Sequence, residues 1–274
     1  MRGLRFFLWI LILASGCTGG AGPSDSSPSP EPPPTVPTVP GPEAGTQGVL
    51  NGRVSFSVVD KSIQDDPQVE RLVAPFRARM GEEIQAVIGE TKVMLSEAVP
   101  EGTLGNFATD AMLWAANRHT DNPVHMALTN NGGLRIPIGP GPITVGQMYE
   151  LMPFENKLTV LVLTGSQIQD LCDELAEKRG EPIAGFSFRI EVESENRVAR
   201  QIMIGEQPLD REAEYRLVTN DYMANGGDSF TPLLSPVARE DFPILLRDAF
   251  IDYVRHRGVI EVVREGRITG GIGR

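Results

Sequence analysis

The chain predicts a mixed fold of the α+β kind (mixed α/β), with a mixed sheet and packed helices. Three observations carry that prediction. Apolar residues at helical spacing alternate with short apolar runs along most of the chain. Leu158 to Leu163 is a run of strand length, apolar but for Thr159, as a strand covered on both faces requires. The stretch from Val49 to Arg274 is long enough to bury a proper core. Cys172 is the only cysteine in that stretch, so no disulfide forms within it.

The first segment, residues 1–17, reads as an address. Arg2 and Arg5 make a basic start, Phe6 to Ala14 is a short apolar run, and Ala14-Ser15-Gly16 precedes Cys17. The run is too short to be read as a spanning helix. Small residues directly before a cysteine resemble a bacterial lipobox, which makes Cys17 the expected site of lipidation. A plain signal peptide cleaved near Ala21 is the alternative. Thr18, rather than an aspartate, follows the cysteine, so no aspartate there argues for retention at the inner membrane in a cell with two. Residues 18–48 follow as a tether. Ser24 to Gln47 reads SDSSPSPEPPPTVPTVPGPEAGTQ, a composition that favours solvated polyproline II over a packed core. The expected location is therefore the bacterial cell envelope, lipid-anchored, facing periplasm or exterior.

Residues 49–274 form the expected folded domain. Asp66-Pro67 makes a cap and first-turn pair. Val69, Leu72, Val73, Phe76, Met80, Ile84 and Val87 then recur at helical spacing, and Pro75 should kink or divide that helix. A second helix is expected from Leu104 to about Asn117, with Phe107, Ala111 and Ala115 on one face. Val124 to Leu128 reads as a strand. Thr144 caps a short helix reaching about Leu151. After the strand at Leu158 to Leu163, the residues Ile168, Leu171, Cys172 and Leu175 mark another helix, ended by Gly180. Cys172 on that apolar face reads as a small buried hydrophobe. Phe186 to Val192, Val198 to Ile204 and Tyr215 to Thr219 read as strands. Asp241-Phe242-Pro243 is expected to open a last helix that reaches Arg257 and ends at Gly258.

Four stretches carry candidate chemistry. In Leu128-Thr-Asn-Asn-Gly-Gly-Leu-Arg135 a strand runs into paired glycines, which admit close approach of a ligand to backbone. The arginine behind them offers a planar fork of donors for phosphate or carboxylate. A turn carrying a surface arginine is the alternative. In Met152-Pro-Phe-Glu-Asn156 the phenylalanine is either core or a stacking platform beside a polar reader. Asn220 to Phe230 brings Tyr222, glycines and the Asp228 carboxylate after a strand. Glu101 to Asn106 opens the second helix, where an N-terminus attracts anions and a first-turn acid also fits. The formal net charge of -11 disfavours nucleic acid as a partner, because that affinity rests on neutralising phosphates.

Taken in order, Ile88-Gly-Glu-Thr91, Gly102-Thr-Leu-Gly-Asn106, Asn131-Gly-Gly-Leu-Arg135, Pro153-Phe-Glu-Asn156, Thr164-Gly165 and Asn225-Gly-Gly-Asp228 resemble the C-terminal, substrate-recognition domain of the 5′-nucleotidase family. The resemblance covers roughly Val54 to Arg267. It implies that Phe154 and Tyr222 sandwich a nucleobase, that Asn156 contacts the base, that Asp228 holds ribose hydroxyls and that Arg135 holds phosphate. Rings for stacking, a carboxylate for vicinal hydroxyls and a fork for phosphate agree with the residues themselves.

The resemblance also implies an N-terminal dimetal phosphoesterase domain with Asp-x-His and Gly-Asn-His-Glu motifs. This sequence has none of them. Its histidines are His119, His125 and His256, without metal-ligand spacing. The stretch Met94 to Ala98 likewise lacks the two further phosphate-binding arginines that family enzymes often place there. No catalytic residue, metal site or cofactor is therefore expected in this chain; a partner catalytic domain would need two divalent metals. The expectation is a membrane-tethered nucleoside- or nucleotide-binding domain, not hydrolytic alone. The alternatives are a nucleotide phosphohydrolase acting with a metal-bearing phosphoesterase domain in trans, or a scaffold that binds nothing.

Overall fold

The computed structural model describes residues 66–271. The expected signal segment, Cys17 and the tether lie outside the described residues, as does the first part of the expected domain.

The opening helix, α1 (Pro67–Gln85), is capped as the sequence dictates. Asp66 is extended and its carboxylate accepts the Gln68 N–H at 2.7 Å, with proline in the first turn. Pro75 lies inside the helix, which runs on through it undivided. The helix differs from expectation in stopping at Gln85, and Val87 begins β1 (Val87–Thr91), because a sheet partner claims it. The apolar stripe Val69, Leu72, Val73 and Phe76 is exposed. The next helix, α2 (Thr103–His119), buries Phe107, Ala111 and Ala115 as its spacing requires. Strand β2 is shorter than expected, Met126–Leu128.

After β3 (Gly141–Thr144) comes α3 (Val145–Leu151), whose cap is reciprocal. The Thr144 hydroxyl accepts the Gln147 N–H while the Gln147 side chain accepts the Thr144 N–H. The same device at Thr164 and Gln167 turns β4 (Lys157–Thr164) into α4 (Gly165–Glu177). Cys172 is fully buried on α4, and burial pushes its thiol far above the usual range, as befits an inert packing residue. There follow β5 (Ile183–Ala184), β6 (Phe186–Glu193), β7 (Asn196–Ile204), β8 (Gln207–Pro208), β9 (Glu214–Asn220) and the single turn α5 (Asp221–Ala224).

The expected helix from Asp241 does not begin there. Ala238–Leu245 is instead strand β10, antiparallel to β4, and helix α6 runs only from Leu246 to Arg257. Asp241 carries a capping signature, but its carboxylate accepts from Thr159 Oγ1 across the sheet at 2.8 Å and from Arg239. Pro243 falls where the β10 register slips, between Asp241 and Leu245, on an edge strand. Gly258 ends α6 with positive φ, as expected. Two short strands, β11 (Val259–Ile260) and β12 (Ile268–Gly270), close the described chain.

Five strands form the central sheet in the order β10-β4-β9-β2-β5, mixed in direction. Alternation divides its side chains between two cores. Leu158, Val160, Ala127 and Val218 pack with α2, α3 and α6. Leu161, Leu163, Met126, Leu128 and Leu217 pack with α4, β6 and β7 on the opposite face. A strand buried on both faces is what the run at 158–163, apolar but for the buried Thr159, requires. Two smaller sheets flank this centre, β11-β1-β3 and β12-β6-β7-β8.

Glu101 ties the ends together. Its carboxylate accepts from Asn106 Nδ2 and from the backbone N–H groups of Glu265, Gly266 and Arg267, at 2.7 to 3.1 Å. It is therefore a clip between α2 and the segment before β12. Arg267, nearly buried, continues the clip to Asp110 at 2.8 Å and to the Ile183 carbonyl.

Candidate functional site

Strand direction decides which loops meet. β2 runs parallel to β9, and β4 runs antiparallel with Leu158 opposite Asn220. The exits of β2 and β9 and the entrance of β4 therefore lie at the same end of the central sheet's strands. Three of the motifs singled out in the sequence sit on those connections: Thr129 to Arg135, Met152 to Asn156, and Asn220 to Phe230.

They enclose a cavity of about 400 Å³ lined by Asn130, Gly132, Gly133, Phe154, Asn156, Tyr222 and Asp228. Four of the five nominated residues thus come together. Phe154 is 43% and Tyr222 47% exposed, so neither ring belongs to a core. The structure does not place Arg135 in the lining. It is exposed, and its guanidinium donates to the Gly132 carbonyl at 2.8 Å, just behind the cavity wall. The paired glycines, read as admitting a ligand close to backbone, do form part of the wall, whereas Asn130 was not singled out. The doubled asparagine before the glycines was the available signal, masked by its ordinary reading as turn chemistry.

Each wall is held from behind. The turn Asn131–Gly133 is a single 3₁₀ turn closed by Leu134 N–H to the Asn131 carbonyl, and Glu181 accepts the Asn131 N–H at 2.7 Å. Burial is the main reason the Glu181 carboxyl is raised above its usual range. The Asn131 N–H opposes that shift, and the Asp228 charge adds to it. The Phe154 loop is pinned to the start of α6. Leu246 N–H donates to the Asn156 carbonyl at 2.9 Å, and Arg247 donates to the Phe154 carbonyl while its guanidinium lies over the Tyr149 ring.

Tyr222 rides on α5, and its hydroxyl donates to Asp228 Oδ1 at 3.3 Å. Asp228 itself has φ of 54°, a conformation that short polar side chains tolerate better than most. A Cβ on neighbouring Gly227 would lie 2.4 Å from the Tyr222 ring, so any other residue there must displace that ring.

Chemically, two exposed rings can clasp a planar apolar group, the side-chain amides can address its polar edge, and one carboxylate can accept from hydroxyls. Among the described residues no three His, Cys, Asp or Glu side chains group as a metal ion needs. The dimetal centre that the resemblance implies therefore has no ligand set among them. No helix of the described residues is long and apolar enough to cross a membrane.

Comparison with known proteins places this architecture. Residues 87–235, more than half the chain, match the family described as "5′-nucleotidase, C-terminal domain", and the chain belongs to that family. It is 28% identical over 240 residues to an apyrase of Tabanus yao, covering 77% of this chain and 42% of that protein. It is 27% identical to the trifunctional nucleotide phosphoesterase protein YfkN of Bacillus subtilis, covering 82% of this chain and 17% of that protein. The crystal structure of a 5′-nucleotidase precursor from Thermus thermophilus superposes with a TM-score of 0.66 at 31% identity, over 76% of this chain and 44% of that one. Save for the much longer YfkN, the chain spans about two fifths of the length of these relatives.

Proposed function

We propose that the cavity binds a nucleoside or nucleotide, and that the chain is a substrate-recognition domain held at a bacterial membrane by a lipid on Cys17. Phe154 and Tyr222 take the base between them, Asn156 addresses its edge, and Asp228 accepts from the ribose hydroxyls. Arg135, one carbonyl behind the wall, reaches a phosphate when its guanidinium leaves Gly132.

One observation carries the reading. Residues drawn from three separate motifs, nominated for stacking and hydroxyl binding, line a single cavity with both rings uncommitted to any core. The printed names of the relatives, an apyrase and a nucleotide phosphoesterase, are those of nucleotide-acting proteins and agree with it. Hydrolysis on this reading needs a metal-bearing phosphoesterase domain supplied in trans.

Isothermal calorimetry of the chain in detergent with adenosine, AMP and UDP-glucose tests the proposal. Saturable binding that weakens in Phe154→Ala is expected. Absence of binding to all three ligands by a folded protein overturns it and leaves the scaffold alternative.

A further inference from the structure

Asn220 is 1% exposed, and its side chain joins two walls of the cavity. Its Oδ1 accepts the backbone N–H of Met223 at 2.8 Å, which caps α5, the turn that carries Tyr222. A backbone N–H can only donate, so that bond fixes which end of the Asn220 amide is oxygen. The nitrogen end must then point the other way, and it donates to Thr129 Oγ1 at 3.2 Å and to Asn130 Oδ1 at 3.3 Å. The constraint propagates one residue further. With its oxygen engaged by Asn220, Asn130 has only its amide nitrogen left, and among the described residues that nitrogen donates to no protein acceptor. Asn130 lines the cavity.

We propose that Asn220 is a positioning residue that sets the amide of Asn130, so that the cavity presents an N–H₂ donor and selects ligands with a hydrogen-bond acceptor at that point. The proposal rests on the reading of the cavity as a nucleoside site. It deepens that reading by assigning the polarity of one wall, and by tracing that polarity to a backbone N–H on the opposite wall. A free Asn130 amide would present either face. Asn220 removes the choice before a ligand arrives, and such preorganisation raises affinity without a new contact.

The test is a double-mutant cycle on adenosine affinity, read by calorimetry with the fitted stoichiometry reporting the folded fraction. Asn220→Asp keeps the oxygen that caps α5 but replaces the donor facing Asn130 with an acceptor, so the Asn130 amide turns over. Asn130→Ala removes the proposed donor. Each single change is expected to weaken adenosine by about fivefold, the effect of one net hydrogen bond. The double variant should bind no more weakly than Asn130→Ala alone, because Asn220 acts on the ligand only through Asn130. Losses that multiply in the double variant overturn the proposal, as does an Asn220→Asp protein that binds like wild type. Where Asn220→Asp fails to fold, Asn220→Ser, which retains a capping hydroxyl but cannot reach Asn130, takes its place in the same cycle with the same readout. If wild type binds none of adenosine, AMP and UDP-glucose, the nucleoside reading itself has failed, and this inference falls with it; if it binds AMP or UDP-glucose but not adenosine, the same cycle is read on that ligand.

Discussion

Phe154 shows how much turns on where one ring sits. A phenylalanine after a proline at the mouth of a strand is usually core, and truncating a core phenylalanine costs about 3–5 kcal/mol. This ring is 43% exposed on the cavity rim. Phe154→Ala should therefore leave the melting temperature nearly unchanged and weaken nucleoside binding about tenfold, since stacking on a base contributes about 1–3 kcal/mol. A large fall in melting temperature with affinity intact would reverse the assignment. Arg135→Ala should lower affinity for AMP and leave adenosine unaffected, because only the phosphate gives its fork an anion to hold; equal effects on both ligands would remove it from the site. Gly227→Ala should displace the Tyr222 ring and weaken both ligands together. His125 makes a separate, pH-dependent contribution. Its Nδ1 accepts the Arg216 N–H at 3.0 Å, and burial, then the Arg216 charge, lower its pKa from 6.5. The folded state takes up this proton less readily than the unfolded chain. Its contribution is therefore intact above pH 6.5 and is lost as pH falls below that value. Melting curves from pH 7.5 down to 5 should show a decline that His125→Gln flattens.

Among the elements, those with local signals were legible and those made by distant partners were not. Both reciprocal caps, at Thr144 and Thr164, lie within four residues of sequence, and the short helix after Thr144 begins where its cap predicts. The alternation inside β4 serves two cores at once, and a run apolar at every position from 158 to 163 but Thr159 announced it. Strand β10 was illegible for the opposite reason. Asp241-Phe242-Pro243 imitates a helix start, and only β4, some eighty residues earlier in the chain, makes it a strand. The site shows the same division. Its rings, its glycines and Asp228 were legible as residue types after strands, whereas the amide of Asn130 gains meaning only from Asn220, which folding brings to it. Glu101 is the extreme case, since a plain first-turn acid turned out to accept three N–H groups from a segment more than 160 residues away. Glu101→Ala should destabilise the fold by about 2 kcal/mol or more, given that hydrogen bonds to a charged group contribute about 1.5–3 kcal/mol each and are not fully additive. A thermal melt within a degree of wild type would show the clip to be dispensable.

For the molecule as a whole, membership of the 5′-nucleotidase C-terminal domain family accounts for the architecture, and the proposed function rests on the cavity within it. Two assays bear on the whole chain. Cys17→Ser should release the protein from the membrane fraction or leave its leader uncleaved; a wild-type protein that is already soluble, with an N-terminus beyond Cys17, would refute the anchor. Phosphate release from AMP with Mn²⁺ or Zn²⁺ should stay at background for the purified chain, and turnover that survives repurification would demand a metal site on it. The Glu101 clip also has a bearing on the order of assembly. The last strands to be synthesised complete sheets whose other members were made early: β11 joins β1, β12 joins β6, and β10 joins β4. Neither core is sealed until nearly the entire polypeptide is free to collapse, so the folding barrier is set by long-range closure rather than by local helix formation. A chain threaded N-terminus first through a narrow export channel would thus stay unlocked during passage and acquire its native form only on the far side.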